Sequence, residues 1–257
     1  MAGRRVITVT RAAARPRARV AAAAPLVHLR PDPALSLRDP EGSEVGRAML
    51  VDGLALMNAL GLEAFTFRKL AAEIGSTEVT LYKCFPNKQR LLQYFFQLYW
   101  LWLRQLCGRE VERARDPREA LARSVEAICG VWPKEVPALQ VDPRALRLLV
   151  IEEGMKSYLH KQVDEDNARR LFAPYKDLSA FLAERLVACR RDVPMPRSFA
   201  TTVIEMAHSL PFAMEHLPSL TELSSRKDLK HLALHLLHRT ETYVEHAKPI
   251  RKRPSKP

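Results

Sequence analysis

Residues 66–88 read TFRKLAAEIGSTEVTLYKCFPNK, and the fold turns on how that stretch divides. Thr66 is a residue type that caps a helix by accepting from a free backbone N–H. Phe67, Leu70 and Ile74 then share one helical face, and Gly75 ends the helix. Thr77 can cap a second short helix, in which Leu81 and Phe85 face inward at i, i+4. Two short helices joined by GST make a helix-turn-helix. Within LYKCFPNK, residues 81–88, a core needs only the leucine and the phenylalanine. The tyrosine and the two lysines ask for a partner outside the protein. A helix-turn-helix lays its second helix in the major groove, so double-stranded DNA is the expected partner.

Working outward, Leu50, Leu54 and Met57 repeat at helical spacing over 44–60, with Gly61 as the C-terminal cap. Gly53 in mid-helix predicts a close helix contact. Asn87 can cap a longer helix running to about 107. Further helices are expected at 117–131, 143–160, 165–190, 197–217 and 228–246. Pro117 and Pro143 suit first turns, whereas Pro174 and Pro211 lie inside apolar patterns and should kink or break their helices. No strand-length alternation and no internal repeat stand out. The expected fold is all-α: a three-helix head with a helix-turn-helix, followed by a larger helical domain.

Charge is unevenly placed. Eight arginines and two aspartates give residues 1–40 a charge of +6. The tail 248–257 has five basic residues and no acid, so of the total +12 the intervening residues carry +1. Basic arms of this kind stay solvated and often contact nucleic acid or membrane surfaces. Prolines at 16, 25, 31, 33 and 40 make 1–42 read as a flexible extension, and 248–257 as a disordered tail. The Ala- and Arg-rich start, with no acid before Asp32, also has the composition of an organellar transit peptide, or of a mis-assigned start. Four scattered cysteines without CxxC favour free thiols in a reducing cytosol. The apolar run at 91–103 is too short for a bilayer, which needs ~20 residues, so no membrane partner is expected.

Residues 46–92 resemble the DNA-binding domain of the TetR family of bacterial transcription regulators. The resemblance is carried by Gly61, Phe65, Thr66, Leu70, Ala71, Gly75, Thr77, Leu81, Tyr82, Phe85, Pro86, Lys88, Leu91 and Leu92. It covers about 47 residues. RALRLLVIEEGMKSYL, residues 144–159, and the later helix pair resemble the C-terminal half of AefR-like members. The resemblance implies a head over 43–92 and an effector-binding and dimerisation domain over 93–247. It implies a homodimer that reads a palindromic operator, an unknown small-molecule effector, and repression in a bacterial cytoplasm. No cofactor or metal is implied.

Physical chemistry assigns the head residues. Thr66 can present its hydroxyl and helix N-terminal amides to a phosphate. Tyr82 can donate its phenol to a phosphate oxygen. Lys88, in the first turn of a helix, opposes the dipole there, and a nearby phosphate gives it a reason to be present. The outward face of the second short helix offers Thr77, Glu78, Val79, Thr80 and Lys83 to base edges. Lys83 suits guanine O6 or N7, and Val79 a thymine methyl. Glu78 must find cytosine N4 or a neighbouring cation. Two features depart from the family pattern. Cys84 stands where a histidine or another polar residue is common, which removes one phosphate contact. Residues 41–100 hold six basic and six acidic residues, although DNA-binding domains carry a positive excess. The arginine arm is expected to supply the missing attraction.

For the second domain, Phe199, Val203, Met206 and Leu210 share a face, as do Leu229, Leu232, Leu236 and Tyr243. The resemblance implies that these two helices form an intermolecular four-helix bundle; the alternative for the same faces is intrachain core. Trp132, Glu152, Tyr158 and Tyr175 are candidate effector-pocket residues, beside Trp100, Trp102, Phe172 and Phe181. One of Glu152 and Glu153 is expected to be buried with a partner. His231, His235 and His238 share a helical face, but no glutamate follows the first histidine as a zinc protease requires. GxSxG, Walker A and GxGxxG are absent, so no enzyme is expected. The rival to a DNA-binding regulator is a helical small-molecule binding or interaction protein whose reading surface has drifted.

Overall fold

The computed structural model describes residues 29–238. The arm 1–28, the tail 248–257, Tyr243 and the end of the last expected helix lie outside the described residues. Ten α-helices and four 3₁₀ turns make up the described chain, with no strand among them. The head holds α1 (Glu44–Ala64), α2 (Phe67–Glu73) and α3 (Glu78–Tyr82). Each start is capped as the side chains dictate. Gly46 N–H donates to Ser43 Oγ, Lys69 N–H to Thr66 Oγ1 and Thr80 N–H to Thr77 Oγ1. Met49, Leu50, Leu54, Phe67, Leu70, Leu81 and Phe85 form the core between these helices. Gly53 sits where a Cβ would lie 3.3 Å from Leu70, so α1 and α2 do approach closely there. By length and apolarity α1 could cross a membrane, but its apolar stripe is this core.

The flexible extension expected over 1–42 does not hold for its last third. Residues 29–42 form a strap of two 3₁₀ turns, Pro33–Leu35 and Pro40–Gly42, capped by Asp32 and Asp39. Leu35 is fully buried. Asp32 N–H donates to Gln97 Oε1 at 2.7 Å, and Leu37 N–H to the Cys84 carbonyl at 2.8 Å. The strap lies so tightly on α1 that a Cβ at Gly46 would stand 2.1 Å from the Pro40 carbonyl oxygen.

α4 (Lys88–Glu112), capped by Asn87, is the spine shared by head and body. Its apolar run 91–103 is buried almost throughout because α5 (Pro117–Ile128), α6 (Pro143–Glu153) and α8 (Ala173–Cys189) pack around it. The helix expected over 165–190 is two: α7 (Val163–Ala168), then α8, with Arg170 at φ 62 in the turn between them. Pro174 opens α8, where its missing N–H costs nothing. The helix expected over 143–160 stops at Glu153 and continues as a 3₁₀ turn, Gly154–Ser157. Arg90 of α4 grips Asp166 of α7 with two N–H···O bonds of 2.9 and 3.0 Å.

α9 (Pro196–His216) runs through Pro211, against the expected kink or break. A proline there leaves the Ala207 carbonyl without its helical donor. Arg147 Nη2 donates to that carbonyl at 3.0 Å, so the defect is repaired from α6. The same guanidinium bonds the Ile128 carbonyl at the end of α5 and the Tyr99 hydroxyl on α4. Gly130, at φ +81, leaves it room: a Cβ there would lie 2.8 Å from Arg147 Nε. α10 (Arg226–His238) closes the described fold. Val203 and Leu229, expected on dimer faces, are buried in the chain's own core, whereas Phe199, Met206, Leu210 and Leu232 are half-buried and Leu236 is exposed.

Head and body meet at the end of α1. Gly61 takes φ +71, which breaks the helical ladder and leaves backbone groups of residues 61–65 needing partners. Glu153 of α6, buried as one of the glutamate pair was expected to be, accepts the Leu62 N–H at 3.0 Å through Oε1. From α4, Lys88 Nζ donates to the carbonyls of Leu62, Glu63 and Phe65 at 2.8, 3.1 and 3.2 Å. An ammonium has three N–H donors, so Lys88 has none left for the phosphate contact expected of it.

Two substitutions check these contacts. Gly46→Ala should cost about 1–3 kcal/mol through overpacking and release the strap. Chemical denaturation and limited proteolysis at residues 29–42 would read both, and parental values would show that the strap is not seated. Lys88→Ala should destabilise the DNA-free protein by about 1–3 kcal/mol, the scale for charged hydrogen bonds lost to buried groups. If Lys88 served DNA instead, stability without DNA would not change and the salt dependence of DNA binding would flatten.

Candidate nucleic-acid interface and ligand cavity

The outer surface of α3 carries most of the residues expected at base edges. Val79 is 68 % exposed, and Thr77 and Lys83 are also exposed. Thr77 Oγ1 and Thr80 Oγ1 are 2.8 Å apart, so Thr80 braces the cap while half-buried. Glu78 is half-buried in the first turn, where its charge suits the helix N-terminus. Tyr82 is 46 % exposed and leans its ring on Phe67 at 5.0 Å, which orients the phenol outward. Thr66 is exposed at the start of α2. Thr66, Thr77, Glu78, Val79, Thr80, Tyr82 and Lys83 therefore belong to one unit made of α2, α3 and their caps. Lys88 does not join them.

Cys84 lies beneath this surface, 7 % exposed, and burial pushes its thiol pKa up. The departure seen in the sequence is thus a buried side chain, with no direct reach to a phosphate. Its carbonyl holds the strap, which brings the exposed Arg38 near the C-terminal end of α3. Nothing local in the sequence marks Arg38, because its placement depends on Leu35 and Leu37 docking.

A cavity of about 280 Å³ opens in the body among α4, α6, α8 and α9. Phe96, Trp100, Tyr158, Tyr175 and Phe212 supply aromatic walls. Its polar lining includes Glu152, Glu205, His208 and Ser209. The expected Glu152, Tyr158, Tyr175 and Trp100 are here. Trp132 is not: it packs on Trp102 at 4.7 Å and donates Nε1–H to the Ala127 carbonyl. Trp102, Phe172 and Phe181 also stand outside the lining. Glu205, His208 and Ser209 were missed because a helical pattern shows which face is polar without showing that α9 turns it toward α4.

The cavity's ionisable groups are strongly conditioned. The Tyr175 hydroxyl donates to Glu205 Oε1. Burial, then Glu205, raises the Tyr175 pKa, and the same causes push Tyr158 to about 12. Burial raises Glu152, helped by Glu153 and Glu215. His208 is lowered to about 3, first by burial and then by Arg147. Its partners assign a neutral ring: Nδ1–H donates to the Ile204 carbonyl, and Nε2 faces the Tyr99 hydroxyl at 2.8 Å. His231, His235 and His238 are exposed on α10, and no metal-holding cluster of three occurs among the described residues.

Residues 50–95 match the family model described as bacterial regulatory proteins, tetR family. The matched segment spans α2, α3 and parts of α1 and α4. Comparison with curated proteins found no match. Among solved structures, the ketosteroid transcriptional regulator KstR2 of Mycobacterium tuberculosis is similar, with a TM-score of 0.51 and 15% identity over 77% of this chain and 95% of that one. PfmR, a TetR family transcriptional regulator from Thermus thermophilus, gives 0.52 and 18% over 74% and 97%. AibR, solved with isovaleryl coenzyme A and operator DNA, gives 0.51 and 15% over 75% and 96%. At these identities the likeness is one of fold. The sequence match places a tetR-family DNA-binding domain at residues 50–95, and the body shares its fold with solved regulators of that type.

Proposed function

We propose that the chain works as a homodimeric repressor, released from a palindromic operator by a small molecule held in the body cavity. The observation that carries this reading is the exposed face of α3, held rigidly outward by two capped helix starts and the Phe67–Tyr82 contact. Lys83 donates to guanine, the Val79 methyls meet thymine, and Thr77 and Thr80 lie along the same edge. Thr66 and Tyr82 hold phosphates on either side. Glu78 accepts from cytosine or stays with the helix dipole. Lys88 keeps the head folded. Twofold symmetry places half-sites about one helical turn apart, in a cytoplasmic, nucleoid-bound protein.

Control follows from adjacent residues on α6. Glu152 lines the cavity, and Glu153 beside it holds the end of α1. Gln89 donates to the Lys156 carbonyl and Asn58 to the Ala145 carbonyl, so the head is tied to α6 and the turn after it at several points. A ligand that moves Glu152 or Met155 re-aims the head, and DNA and effector affinities are then reciprocally coupled.

Selection of bound fragments from host genomic DNA tests the reading. The parent should recover one palindromic motif, and a Tyr82→Ala/Lys83→Ala variant should lose it. Equal, motif-free recovery by both would favour the drifted binding protein. Glu153→Ala tests the joint. It should speed hydrogen exchange at the Leu62 amide about tenfold or more, equivalent to losing ~1.4 kcal/mol of local stability, and weaken operator binding without touching α3. Unchanged exchange at Leu62 would remove Glu153 from the coupling.

A further inference from the structure

We propose that the body cavity takes a small organic cation, an amine or quaternary ammonium with an apolar or aromatic body. The inference rests on reading this cavity as the effector site and names the chemistry of its ligand. The walls come first. Five aromatic side chains from α4, the turn after α6, α8 and α9 line one space of about 280 Å³. Aromatic faces attract cations, and more strongly away from water.

The charges in the wall point the same way. Its formally charged side chains are Glu152 and Glu205, and no lysine or arginine lines it. Tyr175 and Tyr158 surround Glu205 and anchor it to the aromatic wall. His208 contributes no positive charge, because its ring is held neutral by burial. The nearest buried cation is Arg147, whose Nη1 lies 3.3 Å from His208 Nε2 on the protein side of that ring. Its N–H groups are directed at Tyr99, Ile128 and Ala207. His216 stands by Phe212, and both His216 and Glu215 lie within electrostatic reach of Glu152, with opposite effects on it.

An anionic ligand would face two carboxylates with no donor cation in the wall. A neutral apolar ligand would strip water from the half-buried Glu205 and return nothing for it. A cation satisfies carboxylates and aromatic faces together. The size sets a further limit: the cavity lies near the lower end of the ~300–1,000 Å³ typical of ligand sites. The bulky, polyanionic coenzyme A portion of a ligand such as that held by AibR suits neither its volume nor its charge.

Three probes of nearly one shape separate the cases: benzyltrimethylammonium, neutral neopentylbenzene and anionic phenylmethanesulfonate. Calorimetry on the full-length protein should rank the cation first, by about tenfold or more over the neutral probe. Glu205→Gln should remove most of that preference while leaving neopentylbenzene unaffected. Glu152→Gln, at an exposed position that folding does not depend on, should reduce it in part. Preference for the neutral or anionic probe overturns the proposal, as does failure of all three to bind, or a cation preference that survives both substitutions. The genomic selection reads DNA recognition without any probe. A motif recovered there alongside failure here would sink the ligand class alone, whereas loss of the motif with a retained cation preference would sink the regulator reading.

Discussion

Leu62 is the residue on which head and body depend. Gly61 turns the chain through a positive φ, so α1 cannot satisfy its own last turn. Buried backbone groups do not tolerate this without partners. The body supplies one in Glu153, and α4 supplies the other in Lys88. Both partners are charged groups acting on neutral amides, which makes stronger bonds than amide to amide. The turn that precedes the helix-turn-helix is therefore also the place where the body contacts the head. Gly61 itself has little freedom, since a Cβ there would stand 3.1 Å from Glu153 Oε1 as well as meeting an unfavourable φ.

What could be read in the sequence was what local chemistry decides. Thr66, Thr77, Asn87, Pro117 and Pro143 each mark a helix start because a cap or a missing N–H acts within a few residues. The failures share a different cause. Lys88 bonds carbonyls 23 to 26 residues earlier, and a first-turn lysine looks the same whether it meets a phosphate or a helix end. Pro211 obeys its rule and still does not break α9, because Arg147, 60 residues away from Ala207, takes the orphaned carbonyl. The strap reads as disordered by composition, yet Leu35 and the missing Cβ of Gly46 dock it. Trp132 satisfies its indole N–H on Ala127 and leaves the cavity to α9. Local propensity was outweighed in each case by a partner that only the tertiary fold brings close.

The strap also changes how the head's charge balance is understood. Between residues 41 and 100 the acids cancel the bases, which is a poor start for DNA attraction. Lys88 and Lys69 keep their charge, but their ammonium groups are directed at the α1 end and the Ala64 carbonyl. Arg38 offsets part of that shortfall, because Leu35 and Leu37 hold the strap against the head near the end of α3. Six further arginines lie in residues 1–28, directly preceding the strap. In DNA complexes generally, phosphate contacts position and base contacts specify.

The body cavity and α3 are linked through few atoms, which suits the control proposed above. α6 ends one residue beyond Glu152, and the backbone there passes into a tight 3₁₀ turn with no helical slack to absorb a displacement. Lys156 in that turn pairs with Glu153 at 2.8 Å and reaches Glu63 at 3.4 Å, so the turn grips the head by side chain as well as by backbone. At the far side of the cavity, α9 is pinned to α6 by Arg147 through the very carbonyl that Pro211 frees. On the proposed reading, a ligand wedged between α6 and α9 would work against a closed frame. Packed interiors do not deform continuously, so on that reading the hydrogen-bonded joint at Leu62 would be the compliant point. A shift of Glu153 there would then be carried by α1 into α2 and α3 as a unit, because their shared core of Leu54, Leu70 and Leu81 is buried.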